Sequence, residues 1–307
     1  GLQGIAYLHS DLGGFAGGEV FDPELYTRWL QYGVFQPVFR PHAQEHIAPE
    51  PVFHDEKTKA LARQSIRLRY SLLPYIYTLA FENNQTGMPF MRPLFFEEPE
   101  NESLYLNDST YLFGNAFLVS PVVVKGQKSK SVYFPKGNNW YDFFEDTQFE
   151  GGQIHKIKLK EDHIPVFVRG GSIIPMVEPV MNTDQYSTQK LILHYFADPT
   201  VVSGSGKLYD DDGKTPHAFE KGLAELILMN AGNSAEKIEL SMQGEPGPLS
   251  AASEREITLI VHNLNKEPQM VRDGKFEIPF VYYKNEKKLE ATFSYNPGSK
   301  FTVEIVK

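Results

Sequence analysis

Four side chains near the start of this 307-residue sequence have the types and spacing to hold a polyhydroxylated ring. Asp11, within the string HSDLGGF, puts a carboxylate just after a short apolar run at residues 5–8. Two glycines and Phe15 follow. A second apolar run, VFQPVF, ends in Arg40-Pro41-His42. A carboxylate accepts hydroxyl protons, an imidazole donates or accepts one, and a guanidinium can hold the carboxylate in place. Phe15 would lie against a carbon face of the ring. The alternative is a capped turn with a structural Asp11–Arg40 pair. Spacing alone leaves both open.

Three other strings invite different chemistry. His9 and Asp11, with His42 and His46 at a four-residue interval, offer imidazole and carboxylate ligands of the kind that bind zinc. Pro41 and Pro49 argue against a regular helix there, no H-E-x-x-H occurs, and ordinary hydrogen-bonded histidines weigh more than a metal site. LYDDDGK, residues 208–214, has contiguous acids where a calcium loop alternates them. It is expected to be a hairpin turn between KLYD and HAFE, marked by Asp212-Gly213. SGSGK, residues 203–207, lacks the strand–turn–helix setting of a nucleophile elbow and is expected to be a loop.

The elements that must position Asp11 and His42 alternate strand and helix. Residues 5–8 and 34–39 are expected as strands. Asp22-Pro23-Glu24 signals a helix start that Gly33 stops. A long helical segment over residues 55–84 carries more apolar positions than one solvent-facing stripe needs, so it is expected to be well buried, with Pro74 kinking or breaking it. Side chains that do chemistry in α/β barrels sit at the C-terminal ends of strands, where Asp11 and His42 fall. A barrel needs eight units and only two are visible, so the chain is expected to hold the end of a larger barrel.

From about residue 98 the helical signal ends. YLFGNAFLVSPVVV, KSVYFP, NWYDFF, IPVFVRGGSIIPM, KLILHYF and ITLIVHNL are β-branched and aromatic runs between turn residues, a spacing that suggests β-sandwiches. The expected division is 1–97, 98–177 and 178–307, with residues 243–254 as a loop.

The formal charge of −9, with no basic run, argues against nucleic acid or an anionic membrane as partner. There is no cysteine, hence neither disulfides nor thiolate chemistry. No apolar stretch approaches the roughly 20 residues that span a bilayer. Aromatics make up 13% of residues, a share that sugar-handling surfaces and β-sandwich cores both produce.

DLGGF, then ELYTRWLQYGVFQPVFRPH, then RLRYSLLPYIYTLAFENNQTGMPFMRPLFFE resemble the closing part of the catalytic barrel in glycoside hydrolase family 31. YLFGNAFLVSPVV, VYFPKGNNWYDFF and IPVFVRGGSIIP resemble its proximal C-terminal β-domain, and LYDDDGKTPHAFEKG its distal one. The resemblance implies an α/β plus all-β chain: the last two units of a (β/α)8 barrel followed by two β-sandwich domains. It implies a retaining α-glycosidase, most readily an α-glucosidase acting on terminal α-linked glucose in oligosaccharides. An α-xylosidase and an α-glucan lyase stay open. So, for the polypeptide by itself, does a non-catalytic carbohydrate-binding or assembly module.

Carried over by position, Asp11, Phe15 and His42 match residues lining the family's −1 sugar subsite, and Arg40 matches a supporting arginine. Trp29 matches a barrel-helix aromatic and is expected in the core. No cofactor is implied. The family's nucleophile and acid/base motifs do not occur here, so Asp11 is not expected to be either. The implied partners are an α-linked oligosaccharide and an upstream barrel segment. Self-association through an open barrel surface is also expected.

Overall fold

The computed structural model describes residues 3–16, 18–43, 47–245, 247–249, 254–274 and 276–307. Its backbone divides into two units. One gathers Gly1–Arg69, Glu82–Phe144 and Phe149–Phe167, the other Tyr70–Phe81, Glu145–Gln148 and Val168–Lys307.

Helix α1, Pro23–Gly33, starts where the sequence signals it. Asp22 accepts from the N–H groups of Glu24 and Leu25 at 3.0 and 3.2 Å, and Pro23 fills the first position, where a missing donor costs nothing. Tyr26 and Leu30 on its inner face pack in one core with Leu12 and Ala62. The long helical segment is two helices, α2 (Glu56–Ser71) and α3 (Leu73–Thr86), broken at the fully buried Leu72 with Pro74 in the first turn of α3. Burial is uneven. α3 buries Pro74, Tyr75, Ile76, Thr78 and Leu79, whereas α2 buries only Thr58, Ala62 and Ser65, so the expectation of a well-buried segment holds for the second helix alone.

Neither expected barrel strand is a strand. Residues 5–8 make no ladder, and Ile5 and Tyr7 are more than half exposed. Residues 34–39 run through turns and bends. Their carbonyls are taken by a side chain instead: the Arg69 guanidinium donates to the oxygens of Val34 at 2.9 Å, Pro37 at 2.8 Å, and Gln36. Pro37 has no N–H to offer a ladder. Among the described residues, what survives of strand pairing here is one parallel bridge, Leu12 to Pro41.

The β-rich remainder follows the sequence closely. Among the described residues, eight short strands come first: β1 Met91–Pro93, β2 Tyr111–Phe113, β3 Phe117–Val119, β4 Ser129–Phe134, β5 Asn139–Asp142, β6 Gln148–Glu150, β7 Gln153–Lys158 and β8 Val166–Arg169. They form a six-stranded sheet in the order β1-β2-β3-β8-β5-β6 and a β4-β7 ribbon. Phe134, Trp140 and Phe167 fill the core with Leu112 and Leu118. Trp140 donates its indole N–H to the carbonyl of Pro135, so burial leaves no orphan donor.

The described residues then form β9 Ile173–Met176, β10 Lys190–Phe196, β11 Ser203–Asp210, β12 Glu225–Asn233, β13 Lys237–Glu245, β14 Arg255–His262, β15 Met270–Asp273, β16 Phe276–Glu277, β17 Phe280–Tyr283, β18 Lys288–Tyr295 and β19 Phe301–Val306. They make a sheet ordered β17-β18-β14-β10-β9 and another ordered β11-β12-β13-β19-β15-β16. Burial alternates residue by residue along β13 and β18, as expected for strands with one face on a core. That core includes Leu191, Leu193, Ile227, Leu240, Leu259 and Val303.

Three sequence expectations change here. SGSGK belongs to β11, because Gly204 and Gly206 let the strand run against another backbone. A Cβ on either would lie 2.3 Å from the carbonyl oxygen of Gly171 or Ile173. Within residues 243–254, residues 243–245 are strand, whereas 246 and 250–253 lie outside the described residues. Asp212-Gly213 does not close the expected hairpin: residues 213–215 are a bend, HAFE is turn, and the returning strand is β12.

Candidate functional site

Backbone pairing brings Asp11 and His42 together. Beside the Leu12–Pro41 bridge, the N–H of His42 donates to the carbonyl of Leu12 at 3.0 Å, so residues 11–12 lie next to 41–42. A tight turn closes after Asp11, its carbonyl accepting from the N–H of Gly14 at 2.9 Å. Gly13 and Gly14 take φ of 99° and 104°, values that suit glycine. A Cβ on Gly13 would fall 2.6 Å from the ring of Tyr26, so the backbone is thin there to admit the protein's own helix.

The rest of the stretch is pinned from behind. Trp29 donates its indole N–H to Ser10 Oγ at 3.0 Å, and Ser10 Oγ donates to Oε1 of the buried Gln36 at 3.1 Å. Trp29 packs against the core around Leu12, in keeping with a core role, and also fixes the residue between His9 and Asp11. Sequence reasoning missed Ser10 and Gln36. The one available signal was Gln36 itself, a carboxamide inside an apolar run.

On the open side, Phe15 stacks on His42 with ring centroids 5.0 Å apart and an interplanar angle of 12°. Phe15 is half exposed, and the Asp11 side chain is 39% exposed. Arg40 does not reach Asp11. Its Nη1 lies 3.3 Å from His42 Nδ1 and its Nη2 lies 3.4 Å from His9 Nε2. Arginine only donates, so these contacts assign His42 its proton at Nε2 and leave Nδ1 as the acceptor. Asp11 Oδ1 sits 3.7 Å from His9 Nε2, beyond hydrogen-bond reach. The site thus presents a carboxylate acceptor, an imidazole N–H and an apolar ring face toward solvent. That set suits a hydroxylated ring with one carbon face.

The other strings take the following places in the structure. No cluster of three His, Asp or Glu that could hold a metal exists among the described residues, and His46 lies outside them. The acids of LYDDDGK separate. Asp210 pairs with the buried Arg255 at 2.9 Å, beside Glu225 at 2.7 Å. Asp211 accepts from the hydroxyls of Tyr77 at 2.6 Å and Tyr209 at 2.7 Å. Asp212 accepts from the N–H groups of Lys214 and Thr215 at 3.0 and 2.8 Å, and the Thr215 bonds hold its carboxyl below the usual carboxylate range.

The segment that builds this site, residues 1–79, matches the model described as the glycosyl hydrolases family 31 TIM-barrel domain. Residues 87–174 match that of the glycosyl hydrolase family 31 C-terminal domain. A probable glucan 1,3-alpha-glucosidase of Oryza sativa subsp. japonica is 38% identical over 223 residues, 72% of this chain and 24% of that protein. An alpha-xylosidase of Saccharolobus solfataricus is 35% identical over 230 residues, 74% of this chain and 31% of its own. A family 31 dextranase of Flavobacterium johnsoniae, solved in complex with glucose, superposes with a TM-score of 0.92 at 29% identity, over 99% of this chain and 40% of that one. The chain therefore spans less than half the length of each of these relatives. With two consecutive domains of one family matched in order, and the barrel-end and β-domain architecture that goes with them, the chain belongs to glycoside hydrolase family 31.

Proposed function

We propose that this chain supplies part of the −1 sugar subsite of a retaining α-glycosidase that releases terminal α-linked glucose from oligosaccharides. The observation that carries the reading is the joining of Asp11, Phe15 and His42 across the Leu12–Pro41 bridge, within the segment matched to the family's barrel. Asp11 accepts glycone hydroxyls, His42 donates from Nε2, and Phe15 holds His42 in plane and covers a carbon face. Arg40 supports the two imidazoles from behind. Domain limits near residues 97 and 177 belong to the same reading.

The retaining reaction needs two carboxyl groups roughly 5–5.5 Å apart, one attacking the anomeric carbon and the other protonating the leaving oxygen. The sequence carries neither motif, so both acids come from further barrel units, and the subsite residues here bind and orient the sugar. Their absence also favours a second reading for this polypeptide by itself, a non-catalytic sugar-binding module. Among glycosides, the likeness to an alpha-xylosidase keeps an α-xyloside in view.

Proton NMR of the first product tests the function. The chain is mixed with a separately produced polypeptide carrying six further family 31 barrel units, then given an aryl α-glucoside or α-xyloside. The expected result is early release of the α-anomer, faster from the glucoside. The β-anomer appearing first contradicts retention, and a faster xyloside reassigns the substrate.

A further inference from the structure

A second concave site lies on residues the proposed subsite does not use. A cavity of 390 Å3 opens between α1, α2, the residues after β5 and residues 162–164. Its walls are fixed. Arg28 donates to the carbonyl of His163 at 3.0 Å and Gln31 to that of Glu161 at 2.8 Å, tying this loop to α1. The N–H of Phe144 donates to Asp142 Oδ1 at 2.9 Å, and that of Phe143 to the carbonyl of Val166 at 3.0 Å.

The lining combines an aromatic surface with acceptors. The Phe144 ring lies 4.1 Å from that of His163, tilted by 30°, and is 37% exposed. Asp162 Oδ1 takes His163 Nδ1 at 2.9 Å, which assigns the imidazole proton to Nδ1 and leaves Nε2 as an acceptor. The Asp162 side chain is more than half exposed, and Gln64 adds an exposed carboxamide. Among the described residues no lysine or arginine lines the cavity, and Asp162 repels anions. Acceptors beside an apolar ring face disfavour an anion and suit a ligand rich in hydroxyl donors with one apolar face. The volume lies within the usual range for small-molecule sites.

We propose that this cavity is a second sugar-binding site, holding one glucosyl unit of an oligosaccharide with a carbon face on Phe144 and its hydroxyls on Asp162, His163 and Gln64. The sugar class rests on the functional reading above. The cavity residues do not.

Isothermal titration of the chain with maltotriose tests it. The proposal expects saturable binding that persists in an Asp11→Ala/His42→Ala double variant. Loss of the ring face in Phe144→Ala should weaken it about tenfold. Gln64→Leu, on the exposed side of α2, should weaken it measurably in a protein whose circular dichroism is unchanged. Absence of binding to the wild-type chain, or affinity unchanged in both cavity variants, overturns the proposal. Binding lost only in the double variant also overturns it, and leaves the subsite reading standing. Binding kept in the cavity, with no glycoside turnover after mixing, leaves this site standing and removes that reading.

Discussion

At the scale of single residues, the site is built more by what fixes Asp11 and His42 than by those residues themselves. Gly13 answers two demands, a positive φ and the closeness of the Tyr26 ring. Gly13→Ala should therefore cost about 2–4 kcal/mol, read as a lower urea midpoint at unchanged slope. If His42 donates to a sugar hydroxyl as proposed, His42→Ala in the mixed enzyme should lower kcat/KM about 10- to 100-fold. The pairing of Asp11, Phe15 and His42 was legible because their types fall after apolar runs and at matching motif positions. The Arg40 contacts were not. A sequence shows that a guanidinium is near a carboxylate and two imidazoles, but not which of them it faces, and here it faces His9 and His42.

Among elements, the strands of the sandwich region were legible, whereas the two strands expected in the barrel region are not strands. A strand is defined by its partner, and the carbonyls of Val34, Gln36 and Pro37 accept from Arg69, far along the chain, which no local pattern announces. SGSGK was misread for a related reason. Glycine spacing suggests a loop, while the use of Gly204 and Gly206 is to bring β11 against the carbonyls of Gly171 and Ile173. Gly206→Val should destabilise the protein by about 2–3 kcal/mol, seen in a lower thermal midpoint. On the outer face of the β10–β14–β18 sheet, His194 Nδ1 lies 2.9 Å from His262 Nε2, and His262 Nδ1 lies 2.9 Å from Asp146, which also holds Lys288 at 3.0 Å. Burial, helped by His262 and Lys288, pushes His194 down to about 3, and burial lowers His262 despite Asp146. Histidines held neutral in the fold are easier to protonate unfolded. Their contribution is complete above pH 6.5 and drains away as pH falls toward the folded value. Acidification from pH 7 to 5 should cost on the order of 2 kcal/mol, and His194→Gln should flatten that slope in pH-resolved denaturation.

For the whole molecule, the apolar residues 5–8 stand largely open, with Ile5 at 53% and Tyr7 at 56% exposure. Light scattering of the chain by itself should show concentration-dependent self-association that Ile5→Asp/Tyr7→Asp reduces. A sharp monomer at all concentrations speaks against that surface. The central claim is an allocation of roles: this chain contributes sugar-holding residues, and the catalytic acids lie on other barrel units. Nitrophenol release from an aryl α-glucoside, measured on the purified chain and again after mixing with the six-unit barrel polypeptide, tests it most directly. The account predicts no turnover from the chain and turnover on mixing. Robust turnover by the purified chain would place the chemistry on Asp11 or another acid within it, and would contradict the account.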